Sequence, residues 1–451
     1  MEDLMRLAAE RAVSYLRQLE SRHVAPRAAA LAALDGFDGP LPASAGDPRE
    51  TIELLDRIGS PATVASAGPR FFGFVVGGSL PVTVASSWLA SAWDQNAGGA
   101  VLSPVAARLE QVAQRWLVDL LGLPPEAVAG FVSGATMANL TALAAARHAV
   151  LQHAGWDVEA DGLFGAPPIS VVLGAEAHPS VTKALGLLGL GRTRVVVVPA
   201  DGQGRMRADD LPRIEGPTIV CLQAGNVNTG AFDTFAELVP WAHDGGAWVH
   251  VDGAFGLWAA ASPTRAHLLD GADAADSWAT DAHKWLNTPY DSGLAFVREP
   301  EALSAAMSVS AAYLPFDAER EPAAYTPELS RRARGVDVWA ALRTLGRTGV
   351  AELVERDCRA ASRLAQGLAH AGHAILNDVV LNQVLVSFGD DALTRRVIAA
   401  LQEDGTCWCG GTVWQGHTAM RISVSSWATS DDDVERSLAA MLRVAEAARR
   451  A

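Results

Sequence analysis

The segment SWATDAHKWLNTPYDSG, residues 277–293, holds Lys284, one of only two lysines in the chain; the other is Lys183. Arginine serves surface charge and ion pairing well, whereas only lysine has an amine that can deprotonate and attack a carbonyl. A lysine kept against an arginine-rich background marks a candidate nucleophile. Three further groups suit the same chemistry. Asp252 ends the apolar run in VHVDGAFG, where a carboxylate is costly to bury unless positive charge meets it. His178 stands in AEAHPSV. In VSGATMANL, the small residues Gly134, Ala135 and Thr136 open a helical stretch whose N–H groups and positive end can hold a phosphate. Each has an ordinary explanation when taken singly: a satisfied histidine, a turn aspartate, a helix capped by Ser133 or Thr136.

Positioning these groups together requires a scaffold, and the sequence patterning supplies one. VAGFVSGATMANLTALAAARHAVL reads as strand, glycine turn and long helix. Further strands are expected at ISVVLG, RVVVVPA, PTIVCLQAG, GAWVHVDGA, DSWATD and GLAFV, with helices between several of them. Nearly unbroken apolar strands alternating with helices imply an α/β fold with a mostly parallel sheet covered on both faces. Ligands gather outside the carboxyl ends of such strands. After residue 300 the rhythm changes to a loop, helices over 335–371, strands at VLNQVLVSFG and AMRISVSSW, and the final helix DDDVERSLAAMLRVAEAAR. The expected organisation is an N-terminal helical segment (1–60), a large domain (61–310), and a mobile loop with a small α+β C-terminal domain (311–451).

At the carboxyl edge of that sheet the phosphate cradle, carboxylate, histidine and lysine meet the needs of pyridoxal 5'-phosphate. The lysine amine bonds the cofactor aldehyde, and the carboxylate keeps the pyridine nitrogen protonated so that the ring accepts electrons. The helix N-terminus holds the phosphate, and an imidazole stacks on the ring. The 32 residues from Asp252 to Lys284 leave room for a helical crossover into the next strand.

Composition removes other classes. A formal charge of −15 argues against nucleic-acid or anionic-membrane surfaces. With 49% apolar and 19% charged residues, the chain reads as globular. Four scattered cysteines, Cys221, Cys358, Cys407 and Cys409, form neither a disulfide framework nor a zinc site, and Cys407 and Cys409 read as a buried pair on one face of a strand. The charged, amphipathic segment MEDLMRLAAERAVSYLRQLESRH is neither a signal peptide nor a membrane span, so a cytoplasmic location is expected.

VHVDGAFG followed by ADSWATDAHKW, with GATMANLTALAAAR and AEAHPSV upstream in the same order, resembles the group II pyridoxal-phosphate amino-acid decarboxylases, which include aromatic-L-amino-acid and glutamate decarboxylases. The resemblance covers roughly residues 65–430. It implies an aspartate-aminotransferase-like (fold type I) large domain and a small C-terminal domain. It also implies a homodimer that exchanges N-terminal segments, with active sites at its interface. In its terms Lys284 matches the cofactor-bonding lysine, Asp252 the partner of the pyridine nitrogen, Ala254 the small residue against one ring face, and His178 the histidine stacked on the other. Ala135, Thr136 and His283 match phosphate-binding positions. A loop tyrosine that protonates the product matches Tyr325, with Tyr313 as competitor. The RFFGF stretch, Phe71, Phe72 and Phe74, matches an aromatic wall of the substrate pocket, with Trp88 and Trp93 just downstream; Arg70 could instead pair with an acidic substrate. Two departures stand out. Asp281 occupies a position where many relatives carry asparagine, and QAGNVNTGAFD replaces a threonine-rich run, so Asn226 and Asn228 are the expected cofactor donors there. The implied activity is decarboxylation of an aromatic or apolar L-amino acid. A carbon–carbon lyase, an aldehyde synthase, an aminotransferase and a non-catalytic cofactor-binding regulator are the alternatives, because fold and cofactor do not fix which bond breaks.

Overall fold

Valine-rich runs fit a pleated surface buried on both sides, and here they build a seven-stranded sheet. Its strands are β1 (Val128–Val132), β2 (Ser170–Gly174), β3 (Val195–Val198), β4 (Thr218–Gln223), β5 (Trp248–Asp252), β6 (Ser277–Asp281) and β7 (Gly293–Val297), in the order β1-β7-β6-β5-β4-β2-β3. Every residue of β4 to β7 is buried. This computed structural model describes residues 1–309 and 320–450. The chain forms two compact units: Ser79–Ala361 with Asn377–Gln383, which carries this sheet, and Met1–Gly78 with Ser362–Leu376 and Val384–Ala451.

The sheet is parallel from β3 through β2, β4 and β5 to β6, and only β7 runs backwards, between β1 and β6. That reversal matters for the site. Gly293, the first residue of β7, pairs with Asp281 at the end of β6 and with Val132 at the end of β1. The connecting segment 282–292, which holds Lys284, therefore begins and ends at the carboxyl edge. The crossover from Asp252 to β6 is not the expected α-helix. It consists of three 3-10 turns, Gly256–Ala261, Ala266–Leu269 and Ala272–Ala274, because Pro263 and the left-handed Gly271 (φ 87°) prevent one continuous helix.

The helix Ala135–His153 packs on the sheet along most of its length and is buried on nearly all sides. Its alanines make that possible: a helix without a polar face has no preferred solvent side, and small side chains allow close approach to the strands. The helix Gly335–His370 is two helices in series, separated at Gly346, whose φ of 60° suits glycine.

The second unit carries a four-stranded sheet of β8 (Ala374–Ile375), β9 (Gln383–Ser387), β10 (Gly410–Trp414) and β11 (His417–Ser423), in the order β10-β11-β9-β8. Strands β10 and β11 form a hairpin through Gln415 and Gly416, both with positive φ as a two-residue turn requires. Cys407 and Cys409 are free and buried, just ahead of β10 rather than within a strand. In the same unit Phe71 stacks on Trp408 at 5.0 Å, and Phe72 is 1% exposed and bonded through its backbone to Trp408 and Ser423. Phe71 and Phe72, expected as an aromatic wall of the substrate pocket, make these packing contacts within their own unit. Arg70 is likewise committed: it donates to Asp433 at 2.7 Å and to the Thr406 carbonyl, and is 3% exposed. Its charge is spent on the fold and is not offered to an acidic substrate. Among the described residues, no helix is long and apolar enough to cross a membrane.

Candidate active site

Asp281 organises the edge of the sheet. Its Oδ2 lies 3.0 Å from the Lys284 Nζ and 3.6 Å from the His283 Nε2, while its Oδ1 accepts the Ala135 N–H at 2.5 Å. The carboxylate therefore caps the Ala135–His153 helix from another strand, and neither Ser133 nor Thr136 serves as cap. The carboxylate that stands where many relatives carry asparagine is 2% exposed, and its charge is met by the Lys284 amine and a helix N-terminus.

Beside it the backbone is bare. A Cβ on Gly293 would lie 2.4 Å from the Gly134 Cα, and one on Gly134 would lie 3.2 Å from the His283 Cε1 and 3.4 Å from the Asp281 Oδ1. Only glycine at 134 keeps the space between the helix N-terminus and His283 open. The His283 Nδ1 borders that space and is buried with no hydrogen-bond partner. Burial pushes the imidazole below its usual pKa, against the pull of Asp281. An orphaned imidazole nitrogen facing the first turn of a helix fits the phosphate of pyridoxal phosphate, which would bring the missing partner.

Asp252 ends β5 and is 5% exposed; Oδ1 accepts the Ala254 N–H and Oδ2 accepts the Asn139 Nδ2–H, each at 3.2 Å. His178 caps the Pro179–Leu187 helix. Its Nδ1 accepts the Ser180 N–H at 3.2 Å and lies 2.8 Å from the Ser180 Oγ. Asn139 also donates to Ser180 Oγ at 3.1 Å, so the carboxylate and the histidine share one amide. The structure thus places Gly134, Ala135, Thr136, His178, Asp252, Ala254, His283 and Lys284 at the carboxyl ends of β1, β2, β5 and β6, on one edge of the sheet.

Other expected residues fall elsewhere. Asn226 spends its side chain on its own loop, donating to the Gln223 Oε1 and the Glu176 carbonyl and accepting from the N–H groups of Asn228 and Thr229. It shapes the β4 turn, where the sequence leads us to expect a cofactor donor. Tyr325 lies in the turn Pro322–Tyr325 with the Arg320 guanidinium 4.5 Å above its ring, packed on the cluster that includes Val128, Val297 and Leu303. Val128 and Val297 pair at the far end of β1 and β7 from Val132 and Gly293, about 13 Å away at 3.3 Å per residue. Within one chain Tyr325 is not brought to Lys284. Tyr313 lies outside the described residues. Phe74 and Trp93 are exposed, at 64% and 43%.

Sequence reasoning passed over Tyr290, a 58% exposed side chain whose ring centroid lies 4.2 Å from that of His283, tilted by 33°. It also passed over Asn139 and His250. Their signals were legible: Asn139 lies four residues beyond Ala135 on the same helix face, and His250 lies two before Asp252 on the same face of β5.

Known proteins resemble this chain in sequence and fold. The family described as pyridoxal-dependent decarboxylase conserved domain matches residues 42–389. The chain is 29% identical to an aromatic-L-amino-acid decarboxylase of Bacillus atrophaeus, over 73% of this chain and 69% of the relative. It is 31% identical to an L-2,4-diaminobutyrate decarboxylase of Rhizobium meliloti, over 87% of this chain and 79% of the relative. The solved structure of Oryza sativa TDC with PLP and tryptamine superposes with a TM-score of 0.90 at 22% identity, covering 99% of this chain and 97% of that one, which places the fold in type I. With an amine, a carboxylate and a helix N-terminus on one edge of a fold type I sheet, and a family match across most of its length, the chain belongs to the pyridoxal-dependent decarboxylases and is a pyridoxal-phosphate-dependent amino-acid decarboxylase.

Proposed function

We propose that the chain decarboxylates an aromatic or otherwise apolar L-amino acid, with Lys284 bonding the cofactor, Asp252 facing its ring nitrogen, and His178 and Ala254 against its two faces. Thr136 and His283 hold the phosphate in this reading, with Ala135, whose N–H Asp281 engages, lining the space beside it. The observation that carries it is the joining of Lys284 to the helix N-terminus through Asp281, with Asp252 on the neighbouring strand. Bound there, pyridoxal phosphate supplies an electron-accepting ring for the bonding pair released as carbon dioxide leaves. Asp252 stabilises positive charge at the ring nitrogen, Asp281 positions the lysine amine, and the buried edge excludes water.

The aromatic relative and the aromatic Phe74 and Trp93, exposed in the single chain, support an apolar substrate, as does the engagement of Arg70 by Asp433. The proposed assembly is a homodimer. The number of exposed large apolar side chains on the Ser79–Ala361 unit, among them Trp88, Leu89, Trp93, Val101 and Leu102, supports it. In that assembly Tyr325 protonates the product carbon in the neighbouring copy. Tyr290 is the competing acid, because it is the phenol that the chain itself brings to His283. Carbon dioxide and amine measured from a panel of L-amino acids test the substrate class: turnover confined to acidic or basic substrates rejects it. Tyr325→Phe and Tyr290→Phe, assayed under air for amine against aldehyde, decide the acid. The true donor is the one whose loss lowers amine by about 10² to 10⁴.

A further inference from the structure

Behind the cofactor edge lies a buried polar chain that the decarboxylation scheme does not use. Trp248 Nε1 lies 2.9 Å from Ser277 Oγ, and Ser277 Oγ lies 2.9 Å from His250 Nδ1. His250 Nε2 lies 2.9 Å from Asn139 Oδ1. Asn139 Nδ2 lies 3.2 Å from Asp252 Oδ2 and 3.1 Å from Ser180 Oγ, and Ser180 Oγ lies 2.8 Å from His178 Nδ1. Asn139, His250 and Ser277 have no exposed surface at all. Water therefore cannot substitute for a missing partner, and every proton in the chain has to have a defined place.

The donor sense follows from the end groups. An indole N–H only donates, so Ser277 Oγ accepts from Trp248, and its second lone pair and its proton both remain available to His250 Nδ1. Burial lowers the His250 pKa to about 3, so the ring is neutral and carries one proton, whose place is set from the other side. From the other side an ionised Asp252 only accepts, so it requires the NH₂ of Asn139 and excludes the flipped amide. With its NH₂ toward Asp252, Asn139 turns Oδ1 to His250 Nε2, which must carry the ring proton, and His250 Nδ1 then accepts from Ser277 Oγ. The second N–H of Asn139 then goes to Ser180 Oγ, and the Ser180 hydroxyl proton goes to His178 Nδ1. That nitrogen also accepts the Ser180 backbone N–H at 3.2 Å, so it carries a lone pair. The ring proton of His178 is on Nε2.

We propose that Asn139 is a positioning residue that couples Asp252 to His178: one directional hydrogen-bond chain, set by the Asp252 carboxylate, supports His178 as its Nε2–H tautomer. Asn139 touches neither atom of the His178 ring directly and acts through Ser180. The consequence for the reaction rests on the cofactor reading above. A histidine against the ring face then presents a fixed N–H donor, and the group that holds the ring nitrogen also determines that donor.

The test is ring ¹⁵N spectroscopy of histidine-labelled, cofactor-loaded protein at neutral pH, with His178 assigned by His178→Gln among the 11 histidines. The wild type is expected to show a protonated Nε2 and an unprotonated Nδ1. Ser180→Ala removes only the hydroxyl between Asn139 and His178. It leaves the 3.2 Å bond from the Ser180 backbone N–H in place and is expected to move both His178 nitrogens part of the way toward averaged tautomer shifts and to lower kcat about 3- to 10-fold, the worth of one hydrogen bond, with KM within about twofold. Asn139→Leu should give the same shift change from a residue that does not touch His178. If it does not fold, Ser180→Ala decides alone. A wild type with the proton on Nδ1, or a Ser180→Ala protein with unchanged His178 shifts, overturns the proposal. Borohydride trapping of the cofactor on Lys284, run on the same samples, reports separately on the cofactor reading.

Discussion

Replacing Asp252 with asparagine removes one charge and almost no volume, so it separates catalysis from folding. In the fold Asp252 is 5% exposed and engages the Ala254 N–H and the Asn139 amide. Asparagine keeps an acceptor for one of these and loses a charge-assisted bond to the other, a stability cost of about 1–2 kcal/mol. The cost to the reaction is larger. A buried charge pair that loses one partner forfeits about 3–5 kcal/mol. If that loss falls on the electron-accepting form of the ring, turnover drops by about 10² to 10⁴. The assay is carbon dioxide release at saturating substrate, alongside thermal unfolding and cofactor absorbance of the same preparation. A folded, cofactor-loaded Asp252→Asn protein within about tenfold of wild-type turnover refutes the role given to this carboxylate.

Two further outcomes follow from the geometry. Gly134→Ala places a methyl 3.2 Å from the His283 Cε1 in a backbone conformation open to alanine, so unfolding should change by less than about 1 kcal/mol while affinity for pyridoxal phosphate falls; unchanged affinity by titration argues against a phosphate at this turn. Asp357, buried and bonded to the Trp285 indole at 2.8 Å, has its carboxyl pushed up to about 7 by burial. The fold therefore holds a proton that the unfolded chain releases near pH 4. Stability falls as pH rises between about 4 and 7, by up to about 1.4 kcal/mol per unit. Asp357→Asn should remove that slope, with a melting advantage over wild type that grows from pH 5 to pH 8; a constant difference contradicts the assignment.

Much of the sheet was legible because burial on both faces leaves a plain signature, and PTIVCLQAG, GAWVHVDGA and DSWATD all became strands where their apolar runs predicted. Lys284 and Asp252 were legible for a chemical reason: an amine in an arginine-rich chain and a carboxylate closing an apolar run both demand explanation. What the sequence hid depends on three-dimensional partners. Phe72 and Arg70 read as site residues by type, yet only the fold shows one packed in a core and the other paired with Asp433, 363 residues away. The antiparallel sense of β7, which brings Gly293 to the Gly134 backbone, leaves no trace in a run such as GLAFV. The merging of residues 1–78 with the C-terminal region in one unit has the same origin, since composition does not report which distant segments pair.

The account stands on Lys284 as the residue that bonds the cofactor, and borohydride reduction followed by peptide mapping tests it directly. The chain has just two lysines, so the result is binary. The expected outcome is a reduced pyridoxyl adduct on the peptide containing Lys284, with Lys284→Ala unable to form it and its turnover lower by several orders of magnitude. An adduct on Lys183, or full turnover in Lys284→Ala, contradicts the account.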